Sequence, residues 1–466
     1  MSVFLVGAGP GDPELITVKG KQLLQECDVV VYDRLAPREL LAFTKAGCEL
    51  IDVGKRPTIS ENDQDYINNL LIERARLGLT VVRLKGGDPC VFGRGGEEAQ
   101  ALMNAGIDFQ IVPGVTSAIA VPAYAGIPVT HRNIADSVTI VTGHQDSKVN
   151  WKALAELGTT IVVLMGVTNR KEISRKLIEN GMDPATSVAI VEWGTTPEQS
   201  THRTNLEELE RARVRPPATI VIGQVAEMNL KWFESRPLLG KRVVVTRASE
   251  TAGKLSKLVR EFGARVIEIP TIRTLELEVP PVSGQYEWTV FTSPIAVELY
   301  VKHFRITSKI AAVGPATRNR LNEAGYQVEL VPDEFDANSL VESFPIAQNS
   351  GQVLYPKSQI AKDTIESGLV SKGWQVTSID LYTTERVPLS DWQIKEISNC
   401  DIIAFASSSA VEALADVLGD TLRSVSGKVV CIGYETARVA ESLGARSIVI
   451  AKEHSIEGLA KAVLDA

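Results

Sequence analysis

The chain has 466 residues, 44% apolar and 23% charged, an ordinary balance for a soluble globular protein of roughly two to four domains. Its net charge of -8 argues against a general nucleic-acid or anionic-membrane partner. Five cysteines without CxxC spacing read as free thiols in a reducing compartment, and five dispersed histidines without an HExxH pair argue against a protein-ligated metal.

In chain order, the strand-like run VFLV (3–6) enters the glycine-rich turn GAGPGD (7–12). No basic segment followed by a long apolar run precedes it, and no apolar run in the chain approaches the ~20 residues of a membrane span, so a cytoplasmic chain is expected. The amphipathic stretch GKQLLQEC (20–27) leads to DVVVYD (28–33), and NNLLIERARLG (68–78) leads to TVVRL (80–84). Further β-branched runs bounded by Gly, Pro or Asp are FQIVP, VTIVTG, TIVVLMG, SVAIVEW and TIVIG, the last ending at Gly223. Strands alternating with amphipathic helices predict α/β layers around largely buried sheets. The stretch NLKWFESRPLLG (229–240) carries Arg-Pro and Gly before a fresh strand, KRVVVTRAS, and places a domain boundary at about Arg236 to Gly240. Beyond it the sequence repeats: 310–332 aligns with 429–451, 288–300 with 401–414, and 241–274 resembles 351–384. Two similar α/β lobes follow, each of about 110–120 residues, with a cleft between them as the natural ligand site.

The opening turn reads G-x-G-x-G with Pro10 inside it, not the G-x-G-x-x-G of a dinucleotide fold, although Asp33 ends the next strand where a ribose-binding acid would stand. A tight turn needing positive φ fits it as well. Other glycine-rich turns follow strands: KGGDPCVFGRGGEE (85–98), PGVTSA (113–118) with Thr116 and Ser117 at a helix start, LMG (164–166) and GTTPEQST (194–201). Several such turns at strand ends make a crevice, the usual ligand location in α/β sheets. There is no GxxxxGK[ST] phosphate loop.

The ordered motifs GAGPGDPELIT, VVYDRL, VGKR, RLKGGDPCVFGRGGEE, VPGVTSA, YAGIPVTHR, VTGH and GTTPEQ strongly resemble the uroporphyrinogen-III C-methyltransferases of the tetrapyrrole methylase family, over residues 1 to about 233. From Leu238 onward, LGKRVVVTR, VFTSPIAV, VGPAT and CIGYETARVA resemble uroporphyrinogen-III synthase, on looser motifs. The resemblance implies a tetrapyrrole methylase fold of two α/β subdomains (1–235) followed by a two-lobed α/β synthase fold (241–466). Its first lobe would comprise 241–274 plus 387–466 and its second 275–386. It further implies S-adenosyl-L-methionine as methyl donor, no metal, tetrapyrrole substrates and a homodimer formed through the methyltransferase half.

Carried over motif by motif, the resemblance makes Asp33 the proton acceptor and Lys55 a proton donor. Pro10, Gly86, Gly87 and Asp88 fall at cofactor-binding positions of the first two turns. Val91, Thr116, Ser117, Met165 and Gly194 occupy the remaining ones. Each has a plainer reading: Asp33 as a turn-capping acid, Lys55 as a solvated cation, Asp88 as an Asp-Pro turn residue, Met165 as core. Leu164, Trp193 and Cys90 depart from residues common in the family, which bears on pocket shape. An octacarboxylate substrate meeting a chain of charge -8 needs concentrated cations, for which Arg34 and Arg132 are chosen, with Arg56, Arg94 and His131 nearby in the motifs.

In the synthase half the resembled reaction closes linear hydroxymethylbilane with inversion of ring D. Tyr382 in DLYTT matches a tyrosine proposed as a weak acid. Ser293 and Thr436 are expected to bind substrate from helix-start turns, as Ser408 and Thr317 also would, although every one of these also fits a plain N-cap. The expected activity is therefore synthesis of uroporphyrinogen III and its double methylation to precorrin-2. Two rivals remain at this stage: a methyltransferase whose second half only binds tetrapyrroles, and a nicotinamide-dependent oxidoreductase.

Overall fold

The computed structural model describes residues 2–54, 63–144, 148–246, 249–279, 281–282, 284–348, 351–419 and 421–466. The chain divides into two compact units, residues 1–243 with 257–266, and 244–256 with 267–466.

The first unit begins with five strands, β1 Val3–Gly7, β2 Val29–Tyr32, β3 Glu49–Asp52, β4 Val81–Lys85 and β5 Phe109–Val112. They form a parallel sheet in the order β3-β2-β4-β1-β5. Alternation along each strand sends side chains to both faces, and both are covered. Helix α1 (Val18–Glu26) buries Leu24 against Val6, Val30, Val82 and Leu84. Helices α2 (Asp63–Arg76) and α3 (Gly95–Asn104) bury Leu70, Leu71, Ala99 and Leu102 against Val3, Leu5, Val31 and Val81 on the other face. The chain leaving β1 thus turns to one face and the chain leaving β4, its neighbour, turns to the other. A crevice opens between them at the carboxyl ends of the strands, where ligands bind in open α/β sheets.

Helix α4 (Ser117–Tyr124) carries the chain from β5 to a second sheet. Its strands are β6 Val138–Thr142, β7 Thr160–Leu164, β8 Ser187–Glu192, β9 Ser200–Asn205 and β10 Ala218–Ile222, in the order β6-β7-β10-β8-β9. Only β6 and β7 pair in parallel; β10 is antiparallel to both β7 and β8. Helix α4 packs Val121 and Ala125 against Ala189, Val191 and Val221, and Ala118 against Val162 and Leu164. All eight strands read from β-branched runs in this half are present. The two that were not foreseen, β3 (ELID) and β9 (STHRTN), are edge strands with little buried surface.

Ten further strands follow: β11 Arg242–Val245, β12 Arg265–Glu268, β13 Ile272–Glu276, β14 Trp288–Phe291, β15 Lys309–Ala312, β16 Gln352–Ser358, β17 Gln375–Arg386, β18 Ile402–Phe405, β19 Lys428–Cys431 and β20 Ile448–Ile450. They form two five-stranded sheets, β12-β11-β18-β19-β20 and β13-β17-β16-β14-β15. The long β17 pairs β16 in parallel through its first half and β13 antiparallel through its second. The sequence repeat has a structural counterpart in matching starts of helices. Ser293 caps helix Pro294–His303 after β14, and Ser407 caps helix Ser408–Val417 after β18, each accepting the N–H three residues on. Gly314 and Gly433 stand at the corresponding N-caps after β15 and β19.

Candidate functional site

The first-unit turns converge because three strand ends lie side by side. Gly87 and Gly9 exchange backbone hydrogen bonds, with N···O distances of 2.6 and 3.2 Å. Gly7, Gly87 and Gly114 pack backbone to backbone: a Cβ on Gly114 would stand 2.3 Å from the Gly87 oxygen and 2.6 Å from Gly7 Cα. Asp88 ties the same turns together, its Oδ2 accepting from the Gly114 N–H at 3.0 Å and its Oδ1 from the Cys90 N–H at 2.8 Å. The turn role that its Asp-Pro setting suggests is therefore present. Pro10 sits between Gly9 and Gly11, both at positive φ.

The second sheet brings its own turns to this edge. Gly194 is packed so tightly that a Cβ would lie 2.3 Å from Val121 Cγ1, and Gly11 abuts Gly194, Thr195 and Thr196. The Asp12 N–H donates to Thr195 Oγ1 at 3.1 Å, and the Tyr124 hydroxyl donates to Asp12 Oδ2 at 2.8 Å. Burial, then that bond, hold the Tyr124 phenol well above its ordinary range. Val91 packs on Ala118, Val162 and Leu164, and Thr116 caps α4 directly before Ser117. Strands β7 and β8 run in the same direction on either side of β10, so the residues that follow them share one sheet edge. Both are held at positive φ, Met165 at 56° and Trp193 at 48°, and both are about half exposed. Apolar side chains held in a costly backbone conformation and open to solvent make this edge the candidate ligand site.

The edge suits an adenosyl ligand without phosphates. It offers backbone N–H and C=O groups with the Thr116 and Ser117 hydroxyls. The side of Gly87 that a Cβ would occupy meets only Ser117 N at 3.8 Å and Thr116 Cα at 4.0 Å, which leaves a cradle.

Asp33 follows β2 at the same edge. Its Oδ1 accepts from the Leu35 N–H at 3.2 Å, and its Oδ2 lies 3.5 Å from Arg83 Nη2. Beneath it is a buried charge network that the sequence reading missed. Glu98 on α3 is fully buried, and its Oε1 accepts from Lys85 Nζ at 2.7 Å, Arg83 Nε at 3.2 Å and Gln64 Nε2 at 3.3 Å. Arg83 Nη1 donates to the Val31 and Leu84 carbonyls. Glu98 Oε2 has no partner among the described residues. Desolvation, then the Arg83 charge, hold the Lys85 ammonium below the usual lysine range. The signal was available in TVVRLK, where Arg83 and Lys85 alternate on one face of a strand too apolar to be at the surface.

Lys55 and Arg56 lie outside the described residues. Arg34 and Arg132 are both exposed; Arg34 stands beside Gly54 at the end of β3, while Arg132 lies in the turn closed by the His131–Ala135 bridge. Gly86 is pressed against Leu35.

In the second unit the predicted residues are not equally placed. Tyr382 and Ser293 meet, Oη to Oγ, at 2.9 Å. Thr436 is the third residue of helix Tyr434–Ser442, in its first turn, and is largely buried. Thr317 is buried in the same way, and Ser407 rather than Ser408 is the N-cap of its helix. Helix registry of one or two residues decides whether a hydroxyl caps or packs, and motif position alone does not resolve it.

Two family models match the chain: tetrapyrrole (corrin/porphyrin) methylases over residues 2–210, and uroporphyrinogen-III synthase HemD over residues 253–461. The porphyrin biosynthesis protein HemD of Ruminiclostridium josui is 35% identical, over 99% of this chain and 97% of that protein. A uroporphyrinogen-III C-methyltransferase of Bacillus subtilis (strain 168) is 40% identical, over 74% of this chain and 76% of its own length. Among solved structures, the native uroporphyrin III C-methyltransferase of Thermus thermophilus is 42% identical and covers 48% of this chain and 98% of its own, with a TM-score of 0.44.

Proposed function

The chain belongs to the tetrapyrrole methylases over its N-terminal half and to the uroporphyrinogen-III synthases over its C-terminal half, and we propose that the two activities act in series on one substrate. It is an S-adenosylmethionine-dependent uroporphyrinogen-III C-methyltransferase and a uroporphyrinogen-III synthase. In our reading the second half closes hydroxymethylbilane to uroporphyrinogen III with inversion of ring D. The first half then methylates that product twice, giving precorrin-2, a precursor for sirohaem or cobalamin.

The observation that carries the methyltransfer reading is the meeting of the turns at Pro10, Gly87, Thr116 and Gly194 on one crevice, with Asp33 at the same sheet edge. S-adenosylmethionine supplies an electrophilic methyl group on a sulfonium. The Gly86–Val91 and Thr116–Ser117 turns would hold it through backbone groups and hydroxyls, with Met165 and Gly194 closing the adenosyl side. Such a transfer needs alignment above all, and rigid backbone turns provide it. Asp33 takes up the proton released from the macrocycle, with Arg83 Nη2 3.5 Å from its Oδ2. Lys55 donates a proton, and Arg34 and Arg132 meet substrate carboxylates. In the second half Tyr382 protonates the departing hydroxyl and Thr436 meets a substrate carboxylate, whereas the Ser293 hydroxyl, expected from the sequence to bind substrate, is engaged by Tyr382 and the Ala296 N–H.

We extend the proposal to a cytoplasmic homodimer joined through the methyltransferase half, with domain limits at 1–235 and 241–466, and with no nucleic acid, membrane or metal. Among the described residues no helix is long and apolar enough to cross a membrane. The test is anaerobic turnover of hydroxymethylbilane, with and without S-adenosylmethionine. Uroporphyrinogen III without it and a dimethylated product with it support both halves. Formation of only the spontaneous I isomer refutes the synthase assignment. Failure to methylate supplied uroporphyrinogen III refutes the methyltransferase assignment. Asp33→Asn is expected to keep S-adenosylhomocysteine binding while methyl transfer falls by about 10²-fold or more.

A further inference from the structure

Strand β14 is followed directly by two hydroxyl residues, Thr292 and Ser293, and alternation sends them to opposite faces of the sheet. Each meets a buried tyrosine, one from the next strand of the sheet and one from the strand beyond it. Thr292 Oγ1 lies 3.2 Å from Tyr355 Oη on β16, and Ser293 Oγ lies 2.9 Å from Tyr382 Oη on β17. Burial raises both phenols above their ordinary range, and the hydroxyl partner acts against it in each case.

The two pairs differ in what stands behind the hydroxyl. Ser293 is the N-cap of helix Pro294–His303, and its Oγ accepts the Ala296 N–H at 3.1 Å. That bond occupies one lone pair and fixes the side chain. Either oxygen can donate in the bond to Tyr382 Oη; when Ser293 donates, the Tyr382 proton is directed away from it. The donor is also polarised by the positive end of the helix. A donor aimed at the oxygen where negative charge develops is the arrangement that favours proton release from that oxygen. Tyr382 keeps a small exposed area, 8%, whereas Tyr355 is sealed at 2%.

We propose that Ser293 is a positioning residue for the proton transfer of ring closure: by capping its helix while donating to Tyr382 Oη, it aims the tyrosine proton at the substrate and stabilises the phenolate left behind. The proposal rests on the reading of Tyr382 as the acid. In the step itself the C–O bond of the hydroxymethyl group breaks with its electron pair leaving on oxygen, and the Tyr382 proton completes a molecule of water. The phenolate regains a proton when the closed, rearranged macrocycle loses one, so the enzyme returns to its starting state.

The experiment measures ring closure by the full chain under anaerobic conditions, without S-adenosylmethionine, for Ser293→Ala, Ser293→Thr, Tyr382→Phe and the double variant Ser293→Ala/Tyr382→Phe. Tyr382→Phe is expected to lower kcat by about 10²-fold. Ser293→Ala is expected to lower kcat by about tenfold, the loss of one hydrogen bond to a charged group, with KM within about twofold. Ser293→Thr, which caps and donates, recovers most of that loss. The double variant is no slower than Tyr382→Phe alone, because the serine acts only through the tyrosine. A raised KM with kcat intact in Ser293→Ala makes the serine a substrate ligand and overturns the proposal. So do additive losses in the double variant, or a failure of Ser293→Thr to recover activity at unchanged melting temperature. If Tyr382→Phe is slow but Ser293→Ala is normal, the proposal falls and the acid assignment stands. If Tyr382→Phe turns over normally, both fall.

Discussion

Replacing Gly114 with alanine tests whether backbone contact among the three strand ends is what shapes the methyl-donor crevice. Gly114 does not adopt a positive φ, so alanine suffers no conformational penalty there and the effect is one of contact alone. The added Cβ would stand 2.3 Å from the Gly87 oxygen and 2.6 Å from Gly7 Cα, against a closest tolerable approach of 3.0 Å. Both neighbours are backbone, Gly7 at the end of β1 and Gly87 in the turn after β4, so no flexible side chain can move aside. The turn bearing Gly87 and Asp88 must shift by at least 0.7 Å. Overpacking of this kind costs about 1–3 kcal/mol, which for a unit of this size lowers Tm by roughly 2–12 °C. Displacement of a positioning group by about 1 Å costs on the order of 10²-fold in rate. The assays are calorimetric binding of S-adenosylhomocysteine and initial methylation of supplied uroporphyrinogen III, with ring closure in the same preparation as the internal control. Gly96→Ala provides the contrast, since its Cβ would meet nothing within 4 Å; it is expected to be neutral or stabilising by about 0.5–1 kcal/mol. Unchanged affinity, rate and Tm for Gly114→Ala would refute the reasoning.

The buried charges under Asp33 give two further expectations. Glu98→Ala leaves Arg83 and Lys85 buried without their shared carboxylate, at a cost of about 3–5 kcal/mol, and thermal unfolding is expected to fall by roughly 6–20 °C; a change under 2 °C sinks the account. Lys85 has a folded-state pKa below its unfolded value, so between those two values the unfolded chain holds the extra proton and stability rises with pH. The penalty for charging it is therefore full below the depressed pKa and relieved as pH climbs toward 10.5. Urea unfolding of the native chain and of Lys85→Met at pH 8 and 10 should show the native chain gaining stability relative to the variant as pH rises, and a difference independent of pH would count against the assignment.

Much of the first unit was legible because its central strands are buried on both faces. VVVY, TVVRL and TIVVL must be continuous and β-branched to occupy such positions, and their pattern survives in any context. The edge strands β3 and β9 bear no such demand: with one neighbour and partial exposure, ELID and STHRTN keep polar residues, and no local pattern marks them. The turns could be read as ligand-binding because positive φ and close backbone approach restrict the choice of residue at Gly9, Gly87 and Gly194. Even the resemblance that named the families rests on those same local requirements.

What no local pattern contains is the pairing of residues distant in the chain. Gly7, Gly87 and Gly114 meet only because the strand order places β4, β1 and β5 side by side. Glu98 takes two cations from a strand that precedes it by a glycine-rich loop, and its burial follows from how α3 closes over the sheet. Ser293 finds Tyr382 across 89 positions of sequence. Sequence alone determined which segments fold as strands, helices and glycine turns, since those depend on local sterics and periodic burial. Tertiary structure decided which turns share a crevice, which charges are withdrawn from water and which hydroxyl faces a phenol, because these are set by strand order and helix registry acting over long separations.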